Sequence, residues 1–364
     1  MKKLQLYSIV TVAFALTVST VSNGNALFAQ FGGGNGTQAN PYQISTKQHL
    51  EALANLVNSS NNWSNGKYFK VMNDITDSVR TSIGSGIRSF QGNFNGNNKK
   101  ITLAINHINT DYTAGLFGYV NKGTLENIIV DGYVKSTPNA GGIVGCIYQF
   151  ASLNTSGDVA IINCFNIASI TVDGKSNGHD GAAGGIVGCI NPFDLVNCVT
   201  IINCSNIGTI SGEGFAYHGV GGIIGNVWDN NTTTTTISNC INSGLIKGIN
   251  VVLSTGIGGI IGSITTSTNL SLSNCINTGV IIKVLGGGAS SNNYSSGIIG
   301  NTVNNTIYIS NCYYDKQMCI YGGIDNADIT GQAEGKLTEE MTGTQLQSKL
   351  GTTNFTYSKK PFFS

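Results

Sequence analysis

The sequence predicts an all-β solenoid, a parallel β-helix with a cap at each end, on three observations. First, a glycine-apolar-apolar-glycine element recurs six times, as Gly115-Leu116-Phe117-Gly118, Gly142-Ile143-Val144-Gly145, Gly185-Ile186-Val187-Gly188, Gly222-Ile223-Ile224-Gly225, Gly259-Ile260-Ile261-Gly262 and Gly297-Ile298-Ile299-Gly300. Successive copies start 27, 43, 37, 37 and 38 residues apart. Self-similarity at such a period marks units that bury their apolar faces only against their neighbours. Second, Asn-Cys recurs between these copies, at Asn163-Cys164, Asn203-Cys204, Asn239-Cys240, Asn274-Cys275 and Asn311-Cys312. Third, 364 residues contain only four prolines, as expected where most backbone N–H groups are paired in sheets.

The N-terminus carries an export address. Lys2-Lys3 precede a short apolar core from Ile9 to Val18, and Ala29 stands before Gln30 as a cleavage point. Residues 1–29 are therefore expected to be a signal peptide. The apolar run is too short to span a bilayer, so no transmembrane span is expected in the mature chain. Residues 30–89 are expected to form the N-terminal cap and first strands. Ser45-Thr46-Lys47-Gln48 has capping-box spacing with Ser45 as N-cap. Leu50, Leu53, Ala54 and Val57 then follow at helical spacing, predicting a helix over about 46–58. Tyr68 to Val71 reads as the first strand. The repeats occupy 90–320, and 321–364 form a C-terminal cap or tail, with Thr338-Glu339-Glu340 as a helix start.

Intervals between the glycine elements and the Asn-Cys elements run from 15 to 22 residues, so the expected coil is about 19 residues with two types alternating, giving ~11 coils and a body about 50 Å long at ~4.8 Å per coil. Within a coil the glycines supply positive φ and close stacking. Ile202 and Cys204 point inward, and Asn206-Ile207-Gly208 makes the turn. Stacked asparagines extend a hydrogen-bonded ladder from coil to coil. On this reckoning equivalent cysteines lie two coils, ~9.6 Å, apart, beyond the ~7 Å that a disulfide spans. Cys198 with Cys204 and Cys312 with Cys319 are left as possible local pairs.

These elements resemble the repeat of GLUG-motif proteins. The segment from Gly36-Thr37 to Pro41-Tyr42-Gln43-Ile44-Ser45-Thr46 is similar to that family's N-terminal cap. Phe90-Gln91-Gly92-Asn93-Phe94-Asn95-Gly96-Asn97 resembles its first-coil signature, with Asn95 where Asp is common. Asn311-Cys312-Tyr313-Tyr314-Asp315 through Glu339-Glu340-Met341 resembles its closing segment. The resemblance implies a right-handed parallel β-helix on exported, adhesin-like bacterial surface proteins. It transfers no catalytic residue.

Composition narrows the function. Charged residues make up 10% and the formal net charge is +1, without the clustered basic face that nucleic acid requires. No Cys-x-x-Cys pair, His-Glu-x-x-His helix, calcium loop or nucleophile elbow appears, so no cofactor or metal is expected. Gly34-Asn35-Gly36-Thr37-Gln38-Ala39 fits a loose dinucleotide pattern but follows no strand. Asp173, Asp180 and Asp194 with His179 and His218 are the one modest cluster of acid/base groups. Binding is expected instead from aromatic residues of the variable segments: Tyr148, Phe150, Tyr217, Trp228 and Tyr294. Rings with amide neighbours suit a glycan. The expected function is a secreted or cell-surface, non-enzymatic, adhesin-like module for an extracellular glycan or a host or neighbour surface protein. The alternatives are a structural stalk and a polysaccharide lyase or hydrolase.

Overall fold

The computed structural model describes residues 30–108, 110, 112–148, 157–174, 181–191, 198–213, 219–228, 233–251, 256–265, 269–285, 294–302 and 307–341. Its strands stack in parallel into sheets of nine, six, thirteen and five among the described residues. This is the parallel β-helix that the repeats predict.

The coil is larger than expected. Val159 pairs with Val199, Val199 with Thr235, Thr235 with Leu270, and Leu270 with Ile307. One turn of the solenoid therefore consumes 35–40 residues, where the spacing of the motifs suggested about 19. The glycine element and the Asn-Cys element lie on the same coil, at different corners. A representative coil starts at Cys198–Ile202 in the nine-stranded sheet. It turns at Asn203-Cys204 and crosses the thirteen-stranded sheet as Ser205–Asn206 and Ile210–Glu213. It enters the five-stranded sheet at Gly219–Gly221, bends at Gly222-Ile223 and leaves along Ile224–Val227 of the six-stranded sheet.

Both apolar residues of each glycine element face the core: Ile223 and Ile224, like Ile260 and Ile261, have no exposed surface. Two consecutive inward side chains are possible because the chain changes sheet between them. None of the twelve glycines, Gly115 and Gly118 through Gly297 and Gly300, has positive φ. They are small for another reason. A β-carbon on Gly142, Gly185, Gly222 or Gly259 would lie 2.3–2.6 Å from a side-chain atom of Asn166, Asn206, Asn242 or Asn277 respectively. The second glycines meet backbone instead, as Gly188 does at 2.5 Å from Gly145 O and Gly225 at 2.5 Å from Gly188 O.

The asparagines divide the work that a single turn was expected to do. Asn203 holds the left-handed conformation (φ 57°), as do Asn127, Asn163, Asn239, Asn274 and Asn311 at 53–55°, a region Asn tolerates at small cost. Their side chains form an outer ladder, with Asn163 Nδ2 donating to Asn127 Oδ1 at 3.2 Å, Asn203 to Asn163 at 3.1 Å and Asn239 to Asn203 at 3.2 Å. Asn206, expected in the turn, is fully buried in a second, inner ladder. There Asn166, Asn206 and Asn242 each donate through Nδ2 to the Oδ1 of the next member, ending on Asn277, at 2.7, 2.7 and 2.8 Å. Each amide also closes a turn two residues ahead: Asn242 donates to Gly244 O at 3.1 Å and accepts from Gly244 N at 3.2 Å. Every hydrogen-bonding site of Asn242 is thus used, as burial of an amide demands. Ile201 occupies the core position expected of Ile202, which is half-exposed.

Cys164, Cys204, Cys240, Cys275 and Cys312 are neighbours on successive coils, so their spacing is ~4.8 Å and not ~9.6 Å. All nine cysteines are nonetheless free thiols. Cys198 opens the strand Cys198–Ile202 and Cys204 lies beyond the turn that follows it, the strand alone carrying the chain about 13 Å at ~3.3 Å per residue; neither this pair nor Cys312 with Cys319 is bonded. Burial pushes the Cys204, Cys240 and Cys275 thiols up, removing the thiolate that alkylation needs. Cys198 alone is half-exposed. Native protein treated with iodoacetamide should therefore gain one carbamidomethyl group, on Cys198, and all nine after denaturation. Peptide mass spectrometry checks this, and modification of Cys204 or Cys240 in native protein would contradict their burial.

At the N-terminal end the helix runs Lys47–Ser59, one residue later than expected. Thr46, not Ser45, is its N-cap, accepting from His49 N at 3.3 Å, while Ser45 N donates to His49 Nδ1 at 3.0 Å. Leu50, Leu53, Ala54 and Val57 are buried in the main core as their spacing predicts. The first strand is Tyr42–Ile44, not Tyr68–Val71; the two pair as Tyr42 with Phe69 and Gln43 with Lys70. At the other end, a 3-10 turn covers Thr338–Met341, and the remainder of the expected helix lies outside the described residues.

Candidate ligand-binding groove

The alternation of strands Tyr68–Val71 and Asn93–Asn95 decides what faces solvent. Phe69, Val71 and Phe94 point inward and are buried, so Tyr68, Lys70, Asn93 and Asn95 point outward. Beneath them the rings of Phe31, Tyr42, Phe69, Phe90 and Phe117 form a continuous stack, with centroid separations of 4.8–6.1 Å between successive members of the series Tyr42, Phe31, Phe69, Phe90 and Phe117. This aromatic packing, characteristic of strong core contacts, gives the outer face a rigid floor.

Register sets the outward residues in rows. Gln43, Lys70, Asn95 and Glu126 are successive partners on four neighbouring strands. Tyr68 and Asn93 form the row beside it, with Thr124 next along. Gln38, Ala39, Asn40 and Pro41 rise at one side as a wall, and together they enclose a groove of 740 Å³. The wall is held by Asn35 N and Gly36 N donating to Asn40 O at 2.9 and 3.1 Å. Asn95 Nδ2 donates to Glu126 Oε1 at 2.6 Å, and Asn95 Oδ1 accepts from Asn97 N at 2.7 Å, so both the amide and the carboxylate are fixed in place. Lys70 has no ion-pair or hydrogen-bond partner among the described residues. The chemistry offered is one aromatic face, several amides that both donate and accept, one free ammonium and one pinned carboxylate.

The residues expected to bind lie elsewhere. Phe150 and Tyr217 fall outside the described residues, as do Asp180, Asp194, His179 and His218. Tyr148, on the six-stranded sheet opposite Asn191, is half-buried against Cys146, Ala182 and Cys189 and meets Tyr119 edge-on at 6.3 Å; burial raises its phenol pKa. Trp228 follows the strand Ile224–Val227 and is exposed, its backbone N–H donating to Ile190 O at 2.8 Å. Tyr294 precedes the last strand of the five-stranded sheet, its carbonyl accepting from Ile257 N at 2.7 Å. None of these three lines the groove. Sequence reasoning missed the groove because its residues come from one loop and four strands between Gln38 and Glu126, and only register brings them together. The signal that could have found it was the alternation Tyr68-Phe69-Lys70 and Asn93-Phe94-Asn95.

A second cleft of 190 Å³ is lined by Asn58, Thr81, Ser82, Gly84, Ser85, His107, Tyr112 and Thr113. His107 Nδ1 donates to Thr113 O at 3.1 Å. Burial lowers its pKa, with the Thr113 contact opposing, so the ring is neutral at pH 7. No carboxylate lines this cleft among the described residues. Among the described residues no group of three or more His, Cys, Asp and Glu converges as metal ligands would.

The fold defines a parallel β-helix repeat protein. In comparison with known proteins, no family model matches the chain. A protein of Evansella cellulosilytica provisionally named a Gly-rich membrane protein is 29% identical over 152 residues, covering 39% of this chain and 17% of that protein. The chain thus spans less than a fifth of the length of that relative. Among solved structures, a crystal structure of a protein from Bacteroides ovatus, provisionally named an immunoglobulin A1 protease, superposes with a TM-score of 0.63 at 24% identity, over 88% of this chain and 90% of that one. That likeness concerns the fold. No helix among the described residues is long and apolar enough to cross a membrane.

Proposed function

We propose that this chain is an exported β-helix of the GLUG-motif kind, displayed at or beyond the cell surface, that holds an extracellular glycan or neighbouring surface protein without transforming it. The observation that carries this reading is the groove over Tyr68, Lys70, Asn93 and Asn95. Its rigid aromatic floor and fixed wall present amides and a ring in the manner of a pre-formed site, and 740 Å³ lies within the ~300–1,000 Å³ usual for ligand sites. Glycoside hydrolysis needs two carboxylates flanking the bond. Among the described residues Glu126 is the single carboxylate of the lining, and it is tied to Asn95, which favours binding over cleavage. The solved structure of like fold and the glycine-rich relative are compatible with a surface solenoid.

The test is to incubate purified protein with a panel of host and microbial glycans and to analyse bound and free fractions by mass spectrometry. Retention of intact glycan is expected. Shortened products would point to an enzyme, and neither retention nor cleavage would leave a stalk or a protein-binding role.

A further inference from the structure

We infer that the groove is selective for acidic oligosaccharides, seating a sugar ring on Tyr68 and its carboxylate on Lys70. This rests on the reading of the chain as a glycan-binding module and specifies its ligand. The argument begins with Lys70. Its row partners on either side are Gln43 and Asn95, both neutral, and Glu126, the one acid among the described lining residues, stands two strands away, ~9.6 Å at the usual strand spacing. Glu126 is moreover engaged by Asn95 Nδ2. The ammonium therefore has no anion of the protein's own among the described residues, while two amides beside it can complete the hydrogen bonding of a bound carboxylate.

Tyr68 and Lys70 are two residues apart on one strand and so share its outer face, about 6.6 Å apart along it. That separation suits a pyranose ring stacked on the phenol with an exocyclic or neighbouring carboxylate reaching the ammonium. Asn93, directly across from Tyr68, supplies a donor and an acceptor of the kind that vicinal hydroxyls pair with. Other occupants fit less well. A peptide added as an extra strand would need a sheet edge, and the groove lies on the sheet's face. An apolar side chain would need an apolar pocket, whereas Phe69 and Phe94 of the lining are turned inward.

Two matched probe pairs test this on the full chain by titration calorimetry. They are oligogalacturonate against its fully methyl-esterified form, and sialyllactose against lactose. The acidic member of at least one pair is expected to bind about ten- to a hundred-fold more tightly, the range of one charge-assisted hydrogen bond. Lys70→Gln should abolish the preference, bringing the acidic member of each pair down to the affinity of the neutral one, Lys70→Arg should retain it, and Tyr68→Ala should weaken both members. Both side chains are solvent-facing, and circular dichroism of each variant confirms folding. Equal binding within both pairs, or a preference that survives Lys70→Gln, overturns the inference. Glycan retained in the panel without acid preference would remove this inference and leave the binding reading standing. No retention of any glycan would remove both.

Discussion

Replacing Ile260 by aspartate is expected to unfold the coils on either side of it. Ile260 has no exposed surface, and its backbone joins three coils, its N–H donating to Ile298 O at 2.9 Å and its carbonyl accepting from Ile223 N at 3.0 Å. Among the described residues no lysine, arginine or histidine is buried in the core to pair with a carboxylate there. Whether it stays charged or takes up a proton, desolvation without compensation costs more than about 4 kcal/mol, the range reserved for core charges and large cavities. Because each coil is stabilised chiefly by its neighbours, the damage should spread along the solenoid. Circular dichroism and thermal melting report it directly. Ile207→Asp, at an outward position that is 36% exposed, is the control and should cost under about 0.5 kcal/mol. If Ile260→Asp behaves like the control, the inward assignment of the glycine element is wrong.

Asn242→Leu is expected to be nearly as damaging although it exchanges a polar core residue for an apolar one of similar size. The substitution removes four hydrogen bonds at once: those to Gly244 O and from Gly244 N, the one to Asn277 and the one from Asn206. It leaves the backbone groups of Gly244 without their partners and an amide of Asn206 without its acceptor. At about 1–3 kcal/mol for each buried group left unsatisfied, the expected loss is about 3–6 kcal/mol. Branching at Leu also brings methyl groups toward Gly222, where a β-carbon would already lie 2.4 Å from Asn242 Cγ. Hydrogen exchange is the sharper measurement, since protection should fall first for amides of the turns at Asn206, Asn242 and Asn277. Unchanged protection there would mean that the inner ladder is incidental to stability. The outer ladder offers a contrast. Asn239→Gly removes one exposed amide link at a position whose φ of 55° glycine also tolerates, and should cost far less.

The helix face of Leu50, Leu53, Ala54 and Val57 was readable because a helical period records which residues meet the core. The capping residue was misplaced by one position because Ser45 and Thr46 have the same chemistry, and only His49, reaching back to Ser45 N, separates them. For the binding site, sequence pointed to aromatic residues between the repeats. The groove instead draws on residues within strands, whose outward direction is local but whose neighbours are not. Tyr68, Lys70 and Asn95 each look like ordinary surface positions until register aligns them.

By itself the sequence determined that this protein is a solenoid of stacked parallel strands, since glycine-apolar-apolar-glycine and Asn-Cys recur at intervals that only stacking of like units explains. It determined also that the first apolar residue of each glycine element and the cysteine of each repeat are interior, whereas the second apolar residue faces the core only because the chain changes sheet there. The tertiary structure alone decided that a coil takes 35–40 residues and not about 19, that Asn203 turns the chain while Asn206 stacks inside it, and that a polar groove forms over the first coils. The physical reason is that a repeat period is the same whether its two elements lie on one coil or on two. What separates the cases is which backbone N–H meets which carbonyl across coils, and that pairing is selected by contacts distant in sequence, the inner asparagines settling against the first glycines of Gly185-Ile186-Val187-Gly188 and its copies.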